Sequence, residues 1–248
     1  MAEDFATNLP AVGQNTKALK STKKMKSRLY IVSTPIGNYE DITLRALRVL
    51  KECDFIICEE YKEARRLLSH YQIQKELVAL NEHNEKEISS EIITKLKDDQ
   101  SAALISDCGT PLFSDPGHYL VSLAIQNRID IVPVPGASSL LSALVGSGLE
   151  FEKFYYYGWL SPKKEIRKKQ LFDLKRIRET IIILDTPYRL QTLLEDVVKV
   201  LGENIQTVLA FELTKEKEKF YRGNALQVYN SAKKENLKGE FVLIVKNQ

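Results

Sequence analysis

From Arg28 to about Leu144, short unbroken apolar runs alternate with stretches in which apolar residues recur every three or four positions. The runs LYIVS (29–33), DFIIC (54–58), LVAL (77–80), AALIS (102–106) and IDIVPV (129–134) are largely continuous apolar stretches rather than alternating ones. That is the pattern of strands covered on both faces, as in a parallel sheet. The stretches between them predict helices over 41–51 with Asp41 as N-cap, 63–70, 85–97, and 115–126 with Asp115 as N-cap and Pro116 as first helical residue. A further helix opens near Ala137 and breaks at Gly146, Ser147 and Gly148, which mark a hinge and domain boundary. Strands joined by crossover helices predict a three-layer α/β domain.

Beyond that break the pattern changes. FYYYGWL, TIIILD, IQTVLAFEL, KFYRG and EFVLIVK are rich in aromatic and β-branched residues and predict strands, with helices only over 164–178, 188–201 and 224–235. Fewer helices per strand predict a mixed, partly antiparallel sheet. The chain is thus expected to be α/β throughout: an N-terminal domain over 28–146 with a mainly parallel sheet, and a C-terminal domain over 147–248 with a mixed one. Residues 1–27 are polar, lack periodicity and end in Lys17, Lys20, Lys23, Lys24 and Lys26. They predict a disordered basic tail or a phosphate-steering arm. Alternatively the start lies at Met25.

Composition narrows the class without choosing a function. The 248 residues are 28% charged with a net charge of +3, which fits a globular protein and permits a nucleic-acid partner without requiring one. No run reaches the roughly 18 apolar residues of a membrane span, and no apolar leader precedes the first strand. Cys53, Cys58 and Cys108 are odd in number without C-x-x-C spacing, so reduced thiols and a cytoplasmic location are expected.

Two strand ends carry most of the chemical signal. LYIVSTPIGN (29–38) and ALISDCGTPLFSDPG (103–117) each run from a buried strand into a Gly/Pro loop that opens a helix. In open α/β sheets ligands bind at such carboxyl-end loops. Pro35 and Pro111 stiffen the turns, and Gly37 and Gly109 let backbone approach a ligand. Neither loop is G-x-G-x-x-G or G-x-x-x-x-G-K-[ST], which disfavours a dinucleotide fold and a Walker-type NTPase. The remaining choice is a small-molecule cleft of another kind or ordinary βα connections.

The order STPIGN, DITLRALRVLKECD, NEHNE, SDCGTPLFSDPG, VPGASS, TPYRL, ELTK and GEFVLIV resembles the tetrapyrrole methylase superfamily over about Arg28 to Val245. Within it the chain is most similar to the branch that methylates ribose 2′-hydroxyls of small-subunit ribosomal RNA. The resemblance implies two α/β domains with S-adenosylmethionine in the cleft between them, a homodimer, and ribosomal RNA or the small ribosomal subunit as partner. It implies a cofactor site built from Thr34, Pro35, Ile36 and Gly37; from Asp107, Gly109, Thr110, Pro111 and Leu112; from Pro135, Gly136, Ala137 and Ser138; and from Leu184. The helix opened by VPGASS offers N–H groups to a carboxylate. Asp107 complements positive charge or caps its own turn.

Methyl transfer to an oxygen is an in-line displacement that needs placement and, at most, a proton acceptor, with no requirement for a metal. Glu82, His83 and Glu85 of NEHNE are the expected catalytic group, with His83 as base or as hydrogen-bond partner of the acceptor; a solvated loop histidine is the alternative. Lys163, Lys164, Arg167, Lys168, Lys169 and Arg189 are expected to contact RNA phosphates, or to form a solvated helix face. Lys62, Tyr188 and Phe211 depart from the ribosomal branch's usual residues, which leaves open a corrin or porphyrin precursor methyltransferase and a non-catalytic RNA-binding relative.

Overall fold

A computed structural model describes residues 27–113 and 115–247. The tail assigned to 1–27 thus lies, apart from Ser27, outside the described residues.

The first sheet is wholly parallel, in the order β3-β2-β4-β1-β5. Its strands are β1 (Arg28–Val32), β2 (Phe55–Cys58), β3 (Glu76–Ala79), β4 (Ala102–Ile105) and β5 (Asp130–Val134). Their unbroken apolar runs follow from coverage on both faces. Tyr30 and Val32 pack with Ala46, Leu50, Ala64 and Leu67 of α1 (Leu44–Glu52) and α2 (Tyr61–His70). Leu29 and Ile31 pack with Ile92, Leu96, Leu120 and Ala124 of α3 (Glu85–Lys97) and α4 (His118–Gln126). Each such Leu or Ile, fully buried, stabilises by about 1.5–3 kcal/mol.

Two expected helix starts are corrected. The cap of α1 is Thr43, whose side chain accepts from Ala46 N, while Asp41 ends a separate 3-10 turn over Tyr39–Asp41. Helix α4 starts three residues later than Asp115: its N-cap is Gly117 at φ 122°. Two of its free N–H groups, Gly117 N and Tyr119 N, instead donate to the Glu85 carboxylate at 2.8 and 3.0 Å. A carboxylate from a neighbouring helix replaces the local cap, a choice invisible in the local sequence.

The second sheet runs β6-β7-β10-β8-β9. It comprises β6 (Phe154–Trp159), β7 (Thr180–Asp185), β8 (Gln206–Phe211), β9 (Lys219–Asn224) and β10 (Phe241–Lys246). Only β6 and β7 pair in parallel; the rest is antiparallel. One face, with Ile181, Ile183, Leu209 and Leu243, packs on α6 (Lys164–Leu174), α7 (Leu190–Leu201) and α8 (Ala225–Lys234). The other, with Ile182, Val208, Ala210, Val242 and Ile244, packs on Leu140, Ala143 and Leu144 of α5 (Ser139–Ser147) and on Ile36 from the loop after β1. Helix α5 ends at Gly148, in the left-handed conformation at φ 74°. The two sheets are therefore joined through apolar contacts of α5 and Ile36 with the second sheet.

Candidate functional site

Three loops from the carboxyl ends of adjacent strands β4, β1 and β5 meet at the cleft. Thr34 N donates to Gly109 O at 2.8 Å, and the buried Thr34 hydroxyl donates to Ser106 O at 3.1 Å. Ser33 Oγ lies 3.1 Å from Thr110 Oγ1, which donates to Ala137 O at 3.1 Å. A Cβ on Gly136 would come within 2.9 Å of Ser33 Cβ, and one on Gly109, at φ +84°, within 3.0 Å of Ile36 Cγ2. These glycines set how closely the loops pack on each other.

The second domain closes the cleft from the other side. Asn38 N donates to Thr214 Oγ1 at 3.0 Å, and a Cβ on Gly37 would sit 2.7 Å from Lys215 Cγ. The 212–215 loop holds Glu212 at φ 49° and Thr214 at φ 64°, left-handed conformations that non-glycine residues seldom adopt. Glu212 Oε1 anchors it, accepting from Glu240 N at 2.6 Å and Lys215 Nζ at 3.2 Å.

Two small cavities lie between the domains. One, of about 160 Å³, is lined by Ile36, Cys108, Trp159, Leu184, Asp185, Lys215, Glu240 and Val242 among others. The second, of about 150 Å³, shares Cys108, Ser139, Trp159 and Leu184 and adds Gly109, Thr110, Asp115 and Ser138. Asp185 Oδ1 is engaged by Thr186 N and by Arg189 Nε at 2.5 Å; its side chain is fully buried, and Oδ2 has no partner among the described residues. Apolar walls of Ile36, Leu184, Phe241 and Val242 fit a flat, partly apolar ligand such as a nucleoside.

The rim is acidic. Burial pushes the Asp107 carboxyl above the ordinary range, and Glu60, Glu63 and Asp115 push it the same way, against a hydrogen bond from Glu60 N. Burial also raises Asp115, against a hydrogen bond from Ser106. Glu59 rises through burial and through Asp107, Asp115, Glu60 and Glu82. Burial raises the Cys108 thiol to about 11, so it stays protonated at neutral pH and donates weakly to Ile36 O at 3.6 Å.

The expected cofactor residues thus divide by position. Ile36, Gly109, Thr110, Ser138 and Leu184 face the two cavities. Pro135, Gly136 and Ala137 face neighbouring, shallower hollows. Thr34, Gly37 and Asp107 tie loops or domains together, while Pro111 and Leu112 shape the 109–113 turn. The start of α5 is already capped, because the Ser138 side chain accepts from Leu141 N. Sequence reasoning missed Trp159, Asp185, Lys215 and Glu240. Asp185 directly precedes TPYRL and Lys215 ends ELTK, where only spatial proximity gives them weight.

Among the expected catalytic residues, His83 is 85% exposed and sits 3.4 Å from the equally exposed Glu82. Glu85 is committed to the start of α4. The expected RNA contacts also need correction. Arg167 is 4% exposed and its Nε and Nη2 lie 2.8 and 2.7 Å from Asp196 Oδ2, with Nη1 donating to Pro162 O at 3.1 Å. Arg189 is bound to Asp185 and to Leu160 O. Neither guanidinium faces a solvent phosphate; each holds elements of the second domain together. Lys163, Lys164 and Lys169 remain exposed and Lys168 half-buried. Phe211, one of the departures from the family pattern, is a core residue, whereas Tyr188 is exposed.

Fold and cleft define a class: a two-domain α/β protein in which central strand ends and their Gly/Pro loops face cavities between the domains. The family model for tetrapyrrole (corrin/porphyrin) methylases matches residues 28–228, and the chain belongs to that family. It is 41% identical over 220 residues to ribosomal RNA small subunit methyltransferase I of Halalkalibacterium halodurans, covering 89% of this chain and 76% of the relative. Its similarity to the protein of the same name from Escherichia coli O157:H7 is 40% over 231 residues, covering 92% and 81%. Uroporphyrin-III C-methyl transferase from Thermus thermophilus, solved with S-adenosylhomocysteine, shares the fold at a TM-score of 0.62 and 18% identity, covering 88% of this chain and 97% of that one.

Proposed function

We propose that this chain is an S-adenosylmethionine-dependent methyltransferase acting on small-subunit ribosomal RNA, with the 2′-hydroxyl of a cytidine ribose as acceptor. The observation that carries the reading is about 40% identity, over nine-tenths of the chain, to relatives named for methylating that RNA. The cleft supports it: Leu184, Val242 and Ile36 supply apolar walls for a nucleoside. The bound cofactor supplies a methyl group activated on a sulfonium.

The chain's own residues position the acceptor and take its proton. Asp115 lines the second cavity beside Thr110 and Ser138, and its raised pKa makes it a better base near neutrality than an ordinary carboxylate. It is a stronger candidate than His83, which lines neither cavity. Exposed Lys163, Lys164 and Lys169, with half-buried Lys168 beside them, are placed to meet phosphates. A homodimer fits the apolar surface beside the cleft, where Phe113 (55% exposed), Leu141 and Phe154 line a hollow of about 370 Å³. Among the described residues no helix is long and apolar enough to cross a membrane; we place the enzyme in the cytoplasm, with its RNA.

The test is transfer of labelled methyl from S-adenosylmethionine to unmodified small-subunit RNA or subunits, followed by mass mapping of nucleosides. A 2′-O-methylcytidine is expected. Label recovered only on a corrin or porphyrin precursor would overturn the substrate, and a monomeric mass by light scattering would overturn the dimer.

A further inference from the structure

A groove of about 850 Å³ on the N-terminal domain lies apart from the cleft. It runs beside α2 and the outermost strand β3, floored by Leu68 and Leu77 and walled by Tyr61, Arg65, Gln74 and Lys75. We propose that this groove binds a single-stranded segment of the RNA substrate, with a base stacked at Tyr61 and phosphates at Arg65 and Lys75. This rests on the methyltransferase reading above and adds a binding surface to it.

Charge makes the case for a polyanion. No acidic residue is among the described residues lining the groove. The nearest acid on β3, Glu76, is bound to Lys95 at 2.5 Å. Lys62 and Arg66 add exposed positive charge on the same helix. Arg65 Cζ lies 5.4 Å from the centre of the Tyr61 ring, and Tyr61 keeps 42% of its surface exposed. An aromatic face beside a guanidinium is the arrangement that stacks unpaired bases irrespective of sequence.

Position links the groove to the site. Tyr61 begins α2 at the carboxyl end of the sheet, and the preceding Glu60 N donates to Asp107 Oδ1 of the cleft loop at 3.4 Å. The groove therefore has an acidic end towards Asp107, Glu59 and Asp115 and a basic end towards Lys75. Carboxylates repel phosphates, so a strand entering from Lys75 is neutralised there and presents base and ribose, not backbone charge, at the cleft end. A peptide added as an extra strand fits less well, because the Tyr61 hydroxyl already accepts the outward-facing Ala79 N–H at 3.3 Å.

The test uses the full chain, unmodified small-subunit RNA transcript, and labelled S-adenosylmethionine. Arg65→Gln with Lys75→Gln should lower the slope of log affinity against log salt by about 1.4 and raise KM for RNA with little change in kcat. Tyr61→Leu should weaken RNA binding about 5- to 150-fold, the range of one stacked base, while Tyr61→Phe, which keeps the ring, should not. S-adenosylhomocysteine affinity should be unchanged in all three, which also reports intact folding. If the wild type methylates RNA and these variants match it in KM and salt slope, the groove inference is overturned while the function stands, and the charge there serves an acidic protein segment instead. If the wild type neither binds nor methylates RNA, the functional reading fails first and takes this one with it.

Discussion

Replacing Arg167 with Met separates a structural role from an RNA-binding one. Its guanidinium makes two contacts to one oxygen of Asp196, at 2.7 and 2.8 Å, and both side chains are almost fully buried. Arg167→Met keeps the aliphatic stem but leaves the Asp196 carboxylate buried and unpaired. Breaking such a pair from one side costs about 3–5 kcal/mol, whereas removing both charges is close to neutral. For a chain of this size about 1 kcal/mol shifts Tm by roughly 2–4 °C, so the single variant should melt about 6–20 °C lower. Arg167→Met combined with Asp196→Leu should recover most of the loss. The assay is thermal unfolding of all three proteins by calorimetry, together with RNA binding at several salt concentrations below the lowest melting transition. Per folded molecule, the salt slope should not change. An Arg167→Met protein that melts within a degree or two of wild type but loses RNA affinity would refute the buried-pair account.

Gly109→Val places a β-branched residue at φ +84° with its Cβ 3.0 Å from Ile36 Cγ2, in the loop that lines both the cavities. Backbone strain there costs about 1–3 kcal/mol, and S-adenosylhomocysteine binding, measured by calorimetry, should be lost or severely weakened. Asp115→Asn should have two opposite effects. Burial raises the Asp115 pKa above its unfolded value, so the ionised carboxylate destabilises the fold at neutral pH, and the variant should melt higher there. That advantage should disappear as pH falls below the ordinary carboxylate range, where the native Asp115 is protonated in both states. If Asp115 is the base, methyl transfer should fall about 10²–10⁴-fold with cofactor affinity retained. An unchanged rate would remove it from that role.

How much was legible in advance depended on how local the determining physics is. Strands covered on both faces announce themselves as unbroken apolar runs, so β1, β2, β4, β7 and β10 were readable one by one. The fewer helices of the second half correctly implied its mixed sheet. The loops after β1, β4 and β5 were marked by Gly and Pro, whose backbone properties are intrinsic to the residue. Pairing between distant side chains left no such mark. Glu85 reads as part of a catalytic turn until α4 is seen to start on it, and Arg167 reads as one more cation in a basic run until Asp196, 29 positions away, is found beside it. Helix starts slipped for the same reason. Thr43 and Asp41 are equally good caps on paper, and Asp115 loses to a carboxylate from another helix.

The sequence by itself determined the two α/β halves, the loops that face the cleft and the family, because periodicity and short-range backbone chemistry are written in consecutive residues. Only the tertiary structure decided which charges are free. A lysine or arginine is available to RNA when no buried carboxylate claims it, and that depends on elements brought together by burying Leu, Ile and Val elsewhere. Folding withdrew Arg167 and Arg189 from the surface and left Arg65 and Lys75 beside Tyr61.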